Sequence, residues 1–302
     1  NIFFALNDRN VVKHAFNAAF EIQCLNRAGM TTYPHQWACT QLHGLYLGYP
    51  KSLDEIGRAL GLAEDKKKLT SGKALIRYFC MPCKPTKKNG GRTRNLPEHD
   101  IDKWEAFKAY NAQDVVTEME VYHRLEAFPL PDAIRAEWVA DQAVNQYGVL
   151  LDLPLVQGAL AIHEAETKRL LDEAAKITGL SNPNSRDQLL RWLNANTNVD
   201  LSKLTKETVA QAMESADETA AKLLDIRIRT AKTSVSKYDM MKKSAGNDDR
   251  VRGVLQYYGA NRTGRWAGRL IQGQNLPRNY LENLDLARDI VRRGDREAVT
   301  LL

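Results

Sequence analysis

A phenol and a carboxylate stand four residues apart in the run YNAQD, at Tyr110 and Asp114. Residues at this spacing on a helix project from the same face, one turn apart. Such a pair could hold a metal ion and orient the water bound to it. Surface helices also carry pairs of this kind without any function, so the pair alone does not define a site.

A second acidic motif precedes this pair in the chain. The run FNAAFE offers Asn17, Phe20 and Glu21 where a strand-like segment passes into a helix. Hard divalent cations prefer oxygen ligands, and two acids on separate elements could converge on one cation. The sequence therefore makes Glu21 and Asp114 candidate metal ligands.

Together these runs resemble the second and third exonuclease motifs of the DEDDy 3′-to-5′ exonucleases, Asn-x-x-Phe/Tyr-acid followed by Tyr-x-x-x-Asp. The resemblance implies an α/β ribonuclease H-like domain that hydrolyses phosphodiesters at a single-stranded DNA 3′ end with two Mg²⁺ or Mn²⁺ ions. It also implies that Glu21 and Asp114 bind metal and that Tyr110 positions the attacking water. Glu21 stands where the family usually has Asp, and the first motif, Asp-x-Glu, is missing and should precede Asn1. We expect little or no exonuclease activity from this chain.

The arginine-rich stretch, YYGANRTGRWAGRLIQGQNLPRN (Tyr257–Asn279), has four arginines, four glycines and no acidic residue. Acceptors in the DNA minor groove depend little on sequence, so Arg and Gln donors can hold a duplex without selecting a sequence. Glycines let the backbone approach phosphates closely. The stretch favours a nucleic-acid ligand, and the alternative is a basic loop that binds nothing.

Within it, Thr263-Gly264-Arg265 is followed nine and ten positions later by Gln274 and Asn275. Family A DNA polymerases carry Thr-Gly-Arg and Gln-Asn-Leu/Ile-Pro at the same separation, and the Gly-Arg doublets resemble the phage branch. Departures from the family are Ala267 and Gly268 for serines, and Ile271 and Gln272 for Pro-Asn. The resemblance implies contacts with primer-template DNA, and dNTPs as substrates of the full-length protein. The implied DNA-binding residues are Lys237, Arg262, Thr263, Arg265, Arg269, Gln274 and Asn275.

Later acids lack a matching polymerase motif. Asp285, Asp289 and Asp295 follow the arginine-rich stretch in ENLDLARDIVRRGDREAVTLL. We expect them to be exposed helix residues.

Several elements must position the candidate residues. In the first third, strands are predicted over NIFFAL and NVVKHAFN, then a helix that ends at Gly29. Ser52 and Glu55 predict a capped helix over SLDEIGRALGL. A long helix over DKWEAFKAYNAQDVVTEMEVYHRL carries the Tyr-x-x-x-Asp pair.

The later sequence is mostly helical after a short strand in GVLLDL. One helix should end at Gly179, a second should begin at Ser185, and a third is predicted over ETAAKLLDIRIRTAKTSVSKYDMMKKSA. We place domain boundaries near Pro129 and Gly246. Residues 1–129 would be the exonuclease domain without its first strand, 130–246 a mainly α-helical thumb region, and 247–302 the first segment of an α+β palm.

A basic loop precedes the long helix. KPTKKNGGRTR (Lys84–Arg94) has five cations and no acid, a composition that attracts a polyanion or forms a solvated basic face.

Four cysteines do not suggest a disulfide framework. Of these, Cys80 and Cys83 have metal-ligand spacing, but reduced structural thiols are favoured over zinc.

Composition sets the broad class. The 302 residues are 43% hydrophobic and 26% charged, with a net charge of +6. These values are ordinary for a soluble globular protein, and no apolar run approaches the roughly 20 residues of a membrane span. We expect a monomer without membrane partners in the cytoplasm, that of a bacterial host if a phage encodes it.

Both ends look truncated, so we interpret the sequence as a fragment of a DNA polymerase with a proofreading exonuclease. Two alternatives remain open. One is a stand-alone DEDDy 3′-to-5′ exonuclease with a helical DNA-binding extension. The other is a non-catalytic DNA-binding protein with a degenerate exonuclease core.

Overall fold

The computed structural model describes residues 2–63, 72–231, 235–260, 262–276, 278 and 280–301. The chain forms two compact units. The first comprises Asn1–Gln146 and Leu255–Ala267, and the second comprises Tyr147–Val254 and Gly268–Leu302. The boundaries near Pro129 and Gly246 describe domains of a longer protein and stay predictions.

The first unit is built mainly from helices around one short parallel strand pair. Strands β1 (Lys13–Ala15) and β2 (Trp37–Cys39) pair in parallel, with Lys13 opposite Trp37. The helices are α1 (Ile2–Asn7), α2 (Ala19–Arg27), α3 (Thr40–Tyr46), α4 (Leu53–Ala59), α5 (Gly72–Cys80), α6 (Ile101–Leu125) and α7 (Asp132–Tyr147).

Cap residues and helical periodicity in the sequence predict most of these elements correctly. Helix α2 ends just before Gly29, whose φ of +89° favours glycine. The Ser52 side chain accepts a hydrogen bond from the Glu55 backbone N–H and begins α4. The long predicted helix is confirmed as α6.

The strand predicted over NIFFAL is wrong, because residues 2–7 form α1. A Phe-rich run favours a strand when it packs on a sheet. Here the side chains of Ile2, Phe3 and Phe4 are largely exposed, so no such packing favours the strand. The second predicted strand is confirmed only over Lys13–Ala15.

Two apolar clusters hold the first unit together. Ile22 on α2 packs with Trp37, Leu42 and Trp138. A second cluster joins α4 to α6. Its buried members are Leu53, Ile56, Leu62, Val121 and Leu125. Helix α6, which carries the Tyr-x-x-x-Asp pair, is therefore fixed by buried apolar contacts.

The second unit is mostly helical. Strand β3 (Val149–Leu150), within the predicted GVLLDL strand, pairs antiparallel with β4 (Arg250–Val251). The helices are α8 (Leu153–Thr178), α9 (Arg186–Asn196), α10 (Lys206–Met213), α11 (Glu218–Thr230), α12 (Ser236–Ser244), α13 (Leu284–Arg292) and α14 (Arg296–Val299).

Caps fix the ends of the predicted helices here. Gly179, with φ +69°, ends α8, and the Ser185 side chain begins α9, as predicted. The single helix predicted over residues 218–245 is wrong. Separate helices α11 and α12 form instead, and residues 232–234 lie outside the described residues. In the sequence between them, Thr233, Ser234 and Val235 have low helix propensity. Helix α10 was not predicted.

The core of the second unit lies between α8, α9 and α11. Its largest fully buried side chains are Leu193, Leu223 and Leu224. Helix α13 lies unusually close to α8. A Cβ added at Gly158 would come within 1.8 Å of the Val291 carbonyl oxygen, so only glycine fits there.

A hairpin completes the described structure. Strands β5 (Leu255–Ala260) and β6 (Arg265–Gly268) pair with each other. The described residues thus form three two-stranded sheets, and the ribonuclease H-like class stays a proposal. None of the helices in the described ranges is long and apolar enough to cross a membrane.

Candidate functional site

Tyr110 is held rigidly on α6. Its ring is buried and packs against the backbone of α5, where a Cβ added at Gly72 would lie 2.0 Å from the ring. An aromatic row continues from Tyr110 through Phe107 to Phe79, with ring centroids 6.2 and 5.5 Å apart. The orientation of Tyr110 is therefore set by packing between α5 and α6.

Glu21 lies in the first turn of α2, directly after a backbone reversal. Asn17 has a φ of +69°, which Asn tolerates better than most residues, and its carbonyl accepts the Phe20 N–H at 2.9 Å. Phe20 is 63% exposed, whereas Glu21 is half-buried. The sharp turn thus directs Glu21 inward and Phe20 outward.

The environment of Glu21 disfavours its charged form. Burial raises the pKa of the Glu21 carboxyl above its ordinary 4.5, and the negative charge of Glu118 raises it further. Among the described residues, Glu21 Oε2 is buried and has no hydrogen-bond partner. Such an oxygen is suited to a cation.

Glu118 is a carboxylate that the sequence analysis missed. It is buried on α6, one turn beyond Asp114, and accepts a short hydrogen bond from the Thr40 hydroxyl. Its negative charge contributes to the raised pKa of the Glu21 carboxyl. The four-residue spacing from Asp114 was the available signal.

Glu118 thus acts electrostatically on Glu21 and lies on the helix that also carries Tyr110 and Asp114. The oxygen donors suit a hard divalent cation. Within the described ranges, however, no group of three or more His, Cys, Asp or Glu side chains could hold a metal ion. The donor chemistry fits Mg²⁺ or Mn²⁺, while the number of converging ligands falls short.

The β5–β6 hairpin presents the first part of the arginine-rich stretch. Gly264, with φ +66°, and the Thr263 hydroxyl, which donates to the Ala260 carbonyl at 3.4 Å, form the turn. Arg262 and Arg265 are exposed beside it. In the part of the chain that the structure describes, no carboxylate forms an ion pair with either arginine. Both guanidinium groups are available to a polyanion.

Three polar side chains of α7, here called the α7 ladder, anchor this hairpin: Glu137, Asp141 and Asn145. Glu137 accepts from the Tyr257 hydroxyl at 2.6 Å, and Asp141 accepts from Trp266 Nε1 at 2.8 Å. Asn145 exchanges two hydrogen bonds, each 2.9 Å, with the Leu255 backbone. Their four-residue spacing places all three on one helix face. The hairpin is thus fixed by polar contacts along one line.

Protonation in this network is also perturbed. Burial raises the pKa of Asp141, although hydrogen bonds from Trp266 and Asn145 oppose the shift. Burial and the hydrogen bond to Glu137 raise the pKa of the Tyr257 hydroxyl. The Tyr257 hydroxyl is therefore a hydrogen-bond donor at neutral pH.

The second part of the stretch belongs to the second unit. The Gln274 amide lies against Gly268, where an added Cβ would come within 2.0 Å of Gln274 Nε2. Asn275 Nδ2 donates to Gln272 Oε1 at 3.3 Å, and Lys237 Nζ donates to the Asn275 carbonyl at 2.9 Å. The structure brings Lys237, Gln274 and Asn275 together. Arg269 is exposed, and Pro277 lies outside the described residues.

This segment has an uncommon backbone. Leu270 and Gln272 have φ values of +52° and +45°, in the left-handed region that favours glycine. Non-glycine residues held there cluster at ligand sites, because surrounding contacts must maintain them.

The later acids have structural roles. Asp285 and Asp289 form ion pairs with Arg288 and Arg292 on α13, and Asp295 caps α14. All three are exposed, and the prediction of exposed helix residues is confirmed for Asp285 and Asp289, whereas Asp295 precedes its helix as the N-cap.

An acidic, partly buried helix face and an exposed arginine-rich hairpin are the features expected of a protein that acts on nucleic acid. No protein-family model matches the chain. The chain is similar to a protein named DNA polymerase from Bacillus phage SP02, with 47% identity over 303 residues. The match covers 100% of this chain and 46% of the phage protein, so the chain spans about half the length of that relative.

Proposed function

We propose that the chain is part of a phage-type family A DNA-directed DNA polymerase with a 3′-to-5′ proofreading exonuclease. The observation that carries this proposal is the 47% identity to a phage DNA polymerase over the whole chain. The order of the motifs supports it, with Asn17 to Glu21 first, Tyr110 and Asp114 next, and the arginine-rich stretch last.

The proposed layout follows from that order. Residues 1–129 would form a ribonuclease H-like exonuclease domain, 130–246 a thumb, and 247–302 the beginning of a palm. The whole protein would use dNTPs and act as a monomer in the cytoplasm of a bacterial host. The second unit is mostly helical, which supports the thumb assignment. Helices of this kind could bind DNA through cations alone, because phosphate contacts need no base readout.

In the proposed exonuclease site, Glu21 and Asp114 would hold the metal, and the Tyr110 hydroxyl would orient water against the terminal phosphodiester. Bound Mg²⁺ or Mn²⁺ would activate that water and stabilise the charge of the transition state. The packing of Tyr110 between α5 and α6 supports its positioning role. The buried Oε2 of Glu21 supports a ligand role.

On the hairpin of the first unit, Arg262, Thr263 and Arg265 are the residues proposed to contact primer-template DNA. Within the second unit, the residues proposed to contact it are Arg269, Gln274, Asn275 and Lys237. Lys237 donates to backbone carbonyls, so it would also hold the Gln274 segment in place.

One alternative has a specific observation in its favour. A non-catalytic DNA-binding protein with a degenerate exonuclease core would lack a complete metal site. The described residues contain no group of three metal-ligating side chains. A stand-alone DEDDy exonuclease has no such support and stays a prediction.

Binding of a primer-template duplex to the Arg265→Ala variant tests the proposal. Measured by fluorescence anisotropy, affinity should fall to a similar extent for unrelated sequences, and the salt slope should decrease by about one unit. The matched control is Arg27→Ala, which removes an exposed arginine of α2, outside the proposed thumb and palm. Unchanged affinity of Arg265→Ala at low salt would remove this residue from the proposed site.

A further inference from the structure

We propose that the loop between α5 and α6 is a second nucleic-acid-binding surface, which holds the phosphates of a single DNA strand. This surface, here called the basic loop, comprises residues 83–95. It is separate from the arginine-rich stretch and from the acids of α2 and α6. It rests on the proposed function only for the choice of DNA as polyanion.

The basic loop is built around one side chain, Asn89. Asn89 Oδ1 accepts the Thr86 N–H at 2.8 Å, and Asn89 Nδ2 donates to the carbonyls of Lys84 and Arg92 at 2.9 and 3.2 Å. The Thr86 hydroxyl in turn accepts the Asn89 N–H at 3.3 Å. Asn89 therefore joins both arms of the loop.

Further hydrogen bonds close the loop at its base. The Cys83 N–H donates to the Thr93 carbonyl at 2.8 Å, and Asn95 Nδ2 donates to the Tyr78 carbonyl on α5 at 3.0 Å. Arg92 Nε donates to Asn95 Oδ1 at 2.9 Å. A loop so extensively bonded to itself holds its outward side chains in fixed positions, which lowers the entropic cost of binding.

The remaining cations of the basic loop have no structural task. Lys84, Lys87, Lys88 and Arg94 are exposed. Throughout the described ranges, no carboxylate forms an ion pair with any of the four, whereas many exposed cations elsewhere do. Unpaired like charges on a rigid loop repel one another, and phosphates would relieve that repulsion.

The flanks of the loop favour a single strand over a duplex. Met81 and Leu96, at its two ends, are 53% and 45% exposed. Single-strand sites combine cations for the phosphates with aromatic side chains on which bases stack, and apolar side chains also pack against unstacked bases. A duplex stacks its bases internally and would leave these side chains in water.

The basic loop connects α5 and α6, the two helices that fix Tyr110. Tyr110 lies nine residues beyond Ile101, the first residue of α6, or about 14 Å along the helix. The aromatic packing of Phe79 with Trp104 and Phe107 joins α5 to this part of α6. Tyr110 is thus fixed on the same pair of helices that the basic loop connects.

The test uses the whole chain and a fluorescent single-stranded oligonucleotide. In the triple variant Lys84→Gln, Lys87→Gln, Lys88→Gln, the salt slope should fall by about two units, since each single-strand phosphate contact contributes about 0.7. That slope corresponds to a roughly 100-fold weaker affinity near 0.1 M salt, converging with the wild type near 1 M. The control triple, Lys176→Gln, Lys203→Gln, Lys206→Gln, removes the same charge from exposed positions of the second unit.

A second variant tests the rigid scaffold without changing charge. Asn89→Ala should weaken binding several-fold while the salt slope stays close to that of the wild type. Equal losses in the two lysine triples would overturn the proposal, because net charge alone would then explain binding. It would also be overturned if the Lys84, Lys87 and Lys88 triple variant bound the oligonucleotide as tightly as the wild type. A parallel measurement with phosphatidylglycerol vesicles tests for a lipid ligand, and a loss of affinity for the vesicles alone would likewise overturn the proposal.

These outcomes are independent of the primer-template site. If Arg265→Ala weakens duplex binding while the basic-loop triple binds single strands normally, only the basic loop proposal fails. If the triple loses single-strand binding while Arg265→Ala changes nothing, the primer-template assignment fails instead.

Discussion

Two half-buried or buried carboxylates of the first unit, Glu21 and Asp141, differ in what surrounds them. Burial raises the pKa of both. Asp141 accepts hydrogen bonds from the side chains of Trp266, Asn145 and Gln142. Glu21 has a buried oxygen without a partner in the described residues, and the charge of Glu118 nearby.

The difference separates a structural acid from a candidate ligand. Donors around Asp141 compensate its desolvation, so its carboxylate joins α7 to the hairpin. The desolvation of Glu21 is not compensated by protein donors in the same way, and a like charge adds to it. A carboxylate kept in such a place costs stability, as functional sites commonly do.

The largest effect is expected from Asp141→Ala. The change leaves Trp266 Nε1 and neighbouring amides without their acceptor, so the free energy of unfolding should fall by about 2–3 kcal/mol. Urea denaturation of the two proteins measures this loss. Asp141→Asn is the control: it keeps an acceptor for Trp266 Nε1 but turns a donor toward the Gln142 and Asn145 amides, so it should cost less than Asp141→Ala. Equal losses in both variants would mean that the hydrogen bond from Trp266 contributes little to stability.

A smaller effect of opposite sign is expected from Glu21→Gln. The folded-state pKa of Glu21 lies above its ordinary 4.5, so the folded chain binds more protons than the unfolded chain between the two values. Stability from this group is therefore complete below the ordinary pKa and is lost as pH rises through the raised value. At pH 7 the variant should therefore be more stable than the wild type, with a flatter pH profile. Destabilisation at pH 7 would assign Glu21 a structural role like that of Asp141.

The smallest effect is expected from adding Mg²⁺. If Glu21 helps to bind the cation weakly, then Mg²⁺ at its dissociation constant should raise the stability of the wild type by about 0.4 kcal/mol. The Glu21→Gln variant should gain less. Thermal unfolding with and without Mg²⁺ at constant ionic strength measures the difference. The same gain in both proteins would exclude Glu21 as a ligand.

Local chemistry explains which parts of the fold were predictable. The starts of α4 and α9 and the ends of α2 and α8 follow from Ser52, Ser185, Gly29 and Gly179, whose effects reach only one helical turn. The failures involve longer-range causes. Whether NIFFAL forms a strand or a helix depends on whether a sheet packs against it. The helical periodicity of α11 and α12 predicted one continuous helix in place of two.

The candidate site shows the same division. Glu21, Tyr110 and Asp114 could be proposed from short motifs. Glu118 matters because its charge acts on Glu21, which is 97 residues earlier in sequence. The α7 ladder matters because a hairpin over 100 residues later in sequence docks on it. Such pairings arise from the folded chain and leave little trace in a local pattern.

The chain order of the first unit has a consequence for synthesis. Asn145 and its partner Leu255 are 110 residues apart, and the intervening residues belong to the second unit. At 5–20 residues per second, a ribosome needs roughly 5 to 20 s to make that interval. Throughout it Glu137, Asp141 and Asn145 lack their hairpin partners, so the first unit reaches its final form only after most of the second has been translated.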